Sequence, residues 1–91
     1  MFDWDQHNLD KIRAHRIDPE EVEQVLMNDP ILVFEQTVDT EVRFVYYGET
    51  YTGRMLAAIV TERREKLRVV TAYDLDAGQK RDYLKRRLEG Q

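Results

Sequence analysis

The run Glu41-Val42-Arg43-Phe44-Val45-Tyr46-Tyr47 alternates in character, with Val42, Phe44 and Tyr46 on one side and Arg43, Val45 and Tyr47 on the other. That period of two is the mark of a β-strand. Gly48-Glu49-Thr50-Tyr51-Thr52-Gly53 follows, with glycine at both ends, as in a hairpin connection. Met55 to Thr61 is apolar at both parities, which suits a central strand covered on both faces. Glu62 to Lys66 reads as a charged turn, and Leu67 to Tyr73 as a further strand. Upstream, Ile31-Leu32-Val33-Phe34 opens an earlier strand after Pro30. Short turns between consecutive strands give a small antiparallel sheet of about four strands.

Outward from this sheet the pattern is helical. Asp5 caps a first short helix over about residues 6–15, with Leu9 and Ile12 as its apolar side. Asp18-Pro19-Glu20-Glu21 supplies a capping acid, a proline at the first helical position and a Glu three residues after the cap. Val22, Val25 and Leu26 form the buried stripe of that second helix, and Asn28-Asp29-Pro30 ends it. Asp76-Ala77-Gly78-Gln79 opens a final helix that runs to about Leu88. The fold class is α+β, in the order α-α-β-β-β-β-α, as a single domain over residues 1–91.

Composition narrows the function. With 42% hydrophobic residues the chain has enough apolar surface for a core, so disorder is excluded. The absence of cysteine excludes disulfides, thiol chemistry and cysteine-ligated zinc. No apolar run reaches the ~18–20 residues of a membrane span, so no membrane partner is expected. The N-terminal Met1-Phe2-Asp3-Trp4-Asp5 lacks the basic and apolar regions of a signal peptide, and a cytoplasmic location is expected. The net charge of −4 argues at first against nucleic acid. Residues 1–50, however, carry four basic and twelve acidic side chains, a balance of −8, and residues 51–91 carry ten and six, a balance of +4. The basic residues cluster as Arg63-Arg64-Lys66-Arg68 and Lys80-Arg81-Lys85-Arg86-Arg87. Such runs suit a solvated surface or an anionic partner.

His7 and His15 lack metal-site spacing, and there is no phosphate loop or nucleophile elbow. No metal or cofactor is expected. His15 continues the Leu9–Ile12 stripe, so it either packs at a helix end or serves as an acid/base near neutral pH. Arg43 and Arg68 fall inside strands and Arg54 follows the hairpin glycine. Exposed strand positions tolerate arginine, but three on neighbouring strands would also line a phosphate-binding surface, since the guanidinium fork holds phosphate bidentately. Tyr46, Tyr47, Tyr51, Tyr73 and Tyr83 interleave with them. They are either half-buried packing residues or rings on which unpaired RNA bases stack.

Several of these residues fall in a recognisable succession. Phe2-x-Trp4-Asp5, His7-Asn8, His15 and Pro19-Glu20-Glu21-Val22 come first, then Arg43 and Tyr47-Gly48-x-Thr50. Gly53-Arg54-x-Leu56, Thr61-x-Arg63, Arg68-Val69-Val70-Thr71-Ala72 and a basic last helix with Tyr83 complete it. In this the chain resembles the BrnT family of bacterial toxins over nearly its whole length. The resemblance implies a RelE-like fold and the ribonuclease half of a type II toxin–antitoxin pair. It implies metal-independent endoribonuclease action on RNA, chiefly mRNA, and neutralisation by a ribbon–helix–helix antitoxin through which alone DNA is contacted. Carried onto this chain, it makes His15 an acid/base and Arg54 and Arg68 catalytic phosphate ligands. Arg43, Arg63, Tyr47 and Tyr73 become RNA-binding residues. The sequence departs from the family at Ala14, where a basic residue commonly precedes the histidine, and at Tyr73, where arginine often stands. These departures and the acidic first half motivate the alternative of a catalytically weak or inactive binding module that acts only in a complex with a DNA-binding partner.

Overall fold

The structure, a computed structural model, describes residues 2–90 and contains eight elements. They are β1 (Phe2–Asp3), α1 (Gln6–Ala14), α2 (Pro19–Met27), β2 (Ile31–Val38), β3 (Glu41–Glu49), β4 (Met55–Arg63), β5 (Lys66–Asp74) and α3 (Ala77–Glu89). Each helix begins as its capping residues dictate. The Asn8 amide donates to Asp5 Oδ1 at 2.8 Å, the Asp18 amide to Glu21 Oε1 at 3.0 Å, and the Gln79 amide to Asp76 Oδ1 at 2.8 Å.

The sheet departs from the expected four antiparallel strands. It is mixed and five-stranded, in the order β1-β5-β4-β3-β2. The additional strand is Phe2–Asp3, which pairs in parallel with Leu67 and Arg68. Two residues show no alternation, so nothing in the sequence pattern marks them as a strand. The other expected strands are present, and β2 runs on to Val38 through a two-residue turn at Asp39 and Thr40. Both turn residues take positive φ, the geometry that matches the twist of a tight hairpin.

β4 lies in the middle of the sheet, as its unbroken apolar run requires. On one face Leu56, Ala58 and Val60 pack with Val69 and Ala72 against Ile12, Ile17, Val22 and Val25 of α1, α2 and their junction. On the other face Val45, Tyr47 and Ala57 pack against Leu75 and Tyr83, which belongs to α3. Phe44 and Tyr46 join the first cluster while Val45 and Tyr47 join the second, the division expected from their alternation. In β5 the pairing shifts between Val69, opposite Val60, and Thr71, opposite Ile59. The extra residue is Val70, whose carbonyl accepts from the buried Asn8 amide at 3.1 Å, fixing α1 on the sheet.

α2 sits directly on β3 at Gly48. A Cβ there would lie 2.9 Å from Val25 Cγ1 and 3.3 Å from the Val25 carbonyl oxygen. Gly48→Ala should therefore cost about 1–3 kcal/mol of folding stability through overpacking. Urea unfolding with an unchanged m-value measures it.

Candidate functional site: an open basic sheet face

The register sorts the polar side chains between the two faces. Arg43 pairs with Gln36 of β2, Thr61 pairs with Arg68 of β5, and Arg68 in turn pairs with Asp3 of β1. The Thr61 hydroxyl donates to the Val42 carbonyl at 2.8 Å, bringing β3 and β4 together at the same level. Gln36, Arg43, Thr61, Arg68 and Asp3 thus form one row across the sheet, on the face that carries α3. α3 covers only the end of this face around Tyr47 and Ala57, and the arginine row lies beyond it. Arg63 pairs with Lys66 in the next row out. Asp3, Arg63, Arg64, Lys66 and Arg68 line an open pocket of about 390 Å³. Four cations and one carboxylate give this hollow a net positive lining.

The row is held by carboxylates. Arg43 donates through Nε and Nη2 to Glu41 Oε2, at 3.2 and 3.1 Å. Arg68 bridges to Asp3 at 3.5 Å and to Asp5. The Asn8 backbone amide, and after it the Arg68 charge, hold the Asp5 carboxyl below its usual range, against an opposing effect of burial larger than that of Arg68. Tyr73 is half-buried on the same face, at the margin of α3. Tyr47 is buried among the second cluster, where desolvation first and Tyr73 second push its phenol up. Its ring is packed and not presented to solvent.

Arg54 and His15 belong elsewhere. Arg54 precedes Met55, so it shares parity with Leu56 and points toward the helix-bearing side. Its Nε and Nη2 donate to Asp74 at 2.8 and 2.9 Å. Nη1 donates to Glu21 at 3.1 Å and to the Arg16 carbonyl at 3.0 Å, and Nη2 reaches the His15 carbonyl at 3.4 Å. All five N–H donors are committed. The hydrogen bonds to Asp74 raise the guanidinium pKa further, and the same contact holds the Asp74 carboxyl below its ordinary range. His15 is exposed at the C-terminal end of α1, beside this clasp. Asp74 and Arg68 are six residues apart on β5, about 20 Å of extended chain. The structure therefore groups Arg43, Arg63, Arg68 and Tyr73 on one open face and sets His15 and Arg54 at the far end of the other. Lys66, Arg64 and the carboxylates of Asp3 and Asp5 complete the open face. The basic run 63–68 signalled the cations, and only the register assigns the carboxylates.

A family model described as ribonuclease toxin, BrnT, of type II toxin-antitoxin system matches residues 4–78. The chain belongs to the BrnT toxin family. The match spans α1 through the start of α3 and takes in both the arginine row and the Arg54 clasp. BrnT membership makes the chain a ribonuclease toxin, with an RNA substrate and an antitoxin partner. No curated protein matches this BrnT chain in sequence. Among the described residues no helix is long and apolar enough to cross a membrane, and no three His, Asp or Glu side chains gather in a metal-binding group.

The clasp should behave as a structural lock. Arg54→Ala leaves Asp74 and two backbone carbonyls without the Arg54 donors and Glu21 with the Asp18 amide alone, and should cost about 1–3 kcal/mol. The Asp74 contribution is pH-dependent. Because its folded pKa lies below the ordinary 3.8, its stabilisation is present above that pH and is lost as pH falls through the lower folded value. Asp74 is half-exposed, so screening keeps the effect below about 1 kcal/mol. Asp74→Asn should be slightly less stable at pH 7 and lose less stability on acidification below 3.8, measured by urea unfolding across pH.

Proposed function

We propose that this chain is a metal-independent endoribonuclease that lays single-stranded mRNA across the open basic face of its sheet. The observation that supports this most is the row formed by Arg43 and Arg68 together with the adjoining pocket of Arg63, Arg64 and Lys66. The RNA 2′-hydroxyl gives its proton to solvent water and attacks the adjacent phosphorus, the bond from phosphorus to the 5′-oxygen breaks, and that oxygen takes a proton from water, so the products are a 2′,3′-cyclic phosphate and a 5′-hydroxyl. Arg68 stabilises the charge of the phosphorane, Arg43 and Arg63 hold the flanking phosphates, and Tyr73 offers a ring edge to a base. In this reading catalysis is chiefly positioning and charge stabilisation. His15 and Arg54 hold the α1–α2 corner and take no part in the proton transfers. The fold is read as RelE-like, the location as cytoplasmic, and the neutralising partner as a ribbon–helix–helix antitoxin, which alone carries the pair to DNA.

A second reading draws on Glu41, Asp3 and Asp5, which already occupy the arginines, and on Ala14 and Tyr73. In it the chain is a weak or inactive nuclease that acts only in complex with a DNA-binding partner.

RNA cleavage by the purified chain in EDTA separates the two. Arg68→Ala should lower kcat by about two to three orders of magnitude, as loss of a transition-state donor does. His15→Ala should leave cleavage within about threefold, since it removes no contact on this face. Intact RNA at high enzyme concentration, with the fold verified, removes the first reading and leaves the second. For binding, four cations on phosphates give a slope of log K against log salt of about −3, and Arg68→Ala should reduce it by about 0.7.

A further inference from the structure

The two edges of the sheet differ sharply. The β1 edge is only two residues long, too short to accept another strand. The β2 edge is eight residues long and, with Val42 beside it, carries four of the exposed large apolar side chains. Leu32 is 43% exposed, Phe34 46%, Val38 37%, and Val42 of the neighbouring strand 42%. Phe34 and Val38 pair with Val45 and Glu41, on the face of the arginine row; Leu32 and Val42 lie on the face of the helices. Pro30 and the irregularity at Val33 guard only the start of the strand. From Phe34 to Val38 the outward peptide groups have no partner strand, and no lysine or arginine protects them.

Charge says what fits there. From Ile17 to Val42 the chain contains eight acidic residues and no basic one. Glu35 lies exposed within β2 and Asp39 at its turn, neither engaged by an ion pair among the described residues. A second copy of this chain, paired edge to edge, would bring the Glu35 and Asp39 carboxylates of two copies together with no basic residue on either β2, and like charges across strands oppose pairing.

We infer that the β2 edge is the docking surface for an extended basic segment of the antitoxin, which adds a sixth strand to the sheet. The inference rests on the type II pairing and specifies its surface. Apolar residues of one parity in the added segment cover Leu32 on the helix face, and those of the other parity cover Phe34 and Val38. Its lysines or arginines meet Glu35 and Asp39. Main-chain hydrogen bonds supply affinity and the side chains supply choice of partner.

The test uses the full chain, co-expressed with the protein encoded beside it. In the complex, amide exchange at Phe34–Val38 should slow at least tenfold relative to the free chain. The double variant Leu32→Lys, Glu35→Lys should weaken the complex at least thirtyfold. Both side chains lie on the helix side of the sheet, away from the arginine row, so RNA cleavage by the free variant should be unchanged. That cleavage assay reports on the nuclease reading independently. Unchanged exchange along β2, a variant that binds within threefold of the parent, or no complex with the neighbouring protein overturns the inference. A dimer of the free chain that the variant dissolves also overturns it, by giving the edge to a second copy.

Discussion

Burial of β4 on both faces is the constraint from which the rest of the molecule follows. Leu56, Ala57, Ala58 and Val60 are all inaccessible to solvent, so each face of the central strand needs its own cover. The chain spends α1 and α2 on one face and α3 on the other. A helix of thirteen residues is about 20 Å long, whereas five strands of up to nine residues make a sheet about 20 Å wide and 30 Å long. A single such helix, crossing one end, leaves much of its face uncovered. On the part it leaves stand Gln36, Arg43, Arg63, Lys66 and Arg68, with the apolar Phe34 and Val38 toward the β2 edge. The open basic face is thus what a short chain leaves after covering its central strand.

Much of this was legible from alternation alone. The helix starts follow from Asp5, Asp18-Pro19 and Asp76, because capping is local chemistry. The faces of β3 and the central place of β4 follow from residue type at each parity. Arg54 was legible in principle, since it shares parity with Leu56, Ala58 and Val60 and therefore points toward the helices. What hid it was the glycine before it, which made it look like part of the turn. The row joining Arg68 to Thr61 was not legible, because its register depends on the irregularity at Val70, and a single extra residue exchanges the faces beyond it. β1 was hidden for a different reason: two residues carry no pattern.

The charge split between the halves of the sequence is only partly a split in space. Asp3, Asp5 and Glu41 belong to the acidic half, yet they sit against the basic side chains of the open face. They keep that face satisfied while it is empty. In the proposed function an incoming phosphate exchanges with them, so part of each arginine–phosphate interaction is offset by the carboxylate it displaces. Arg63, Arg64 and Lys66 are exposed and make no ion pair among the described residues, which leaves them free to make the first contact.

Of the acidic stretch 17–42, Glu35 and Asp39 lie along the β2 edge and its turn, and their position bears on how a partner silences the nuclease. The sheet order puts β2 at one edge and the pocket of Arg63, Lys66 and Arg68 near the other. A basic segment attracted to β2 is repelled by that pocket, so it cannot itself block the arginines. Neutralisation from the β2 edge therefore requires a partner with two unlike portions. One is basic and pairs with the strand; the other is acidic and crosses the face to take the place of the RNA phosphates. A partner with the basic portion alone would bind the chain and leave the arginine face open.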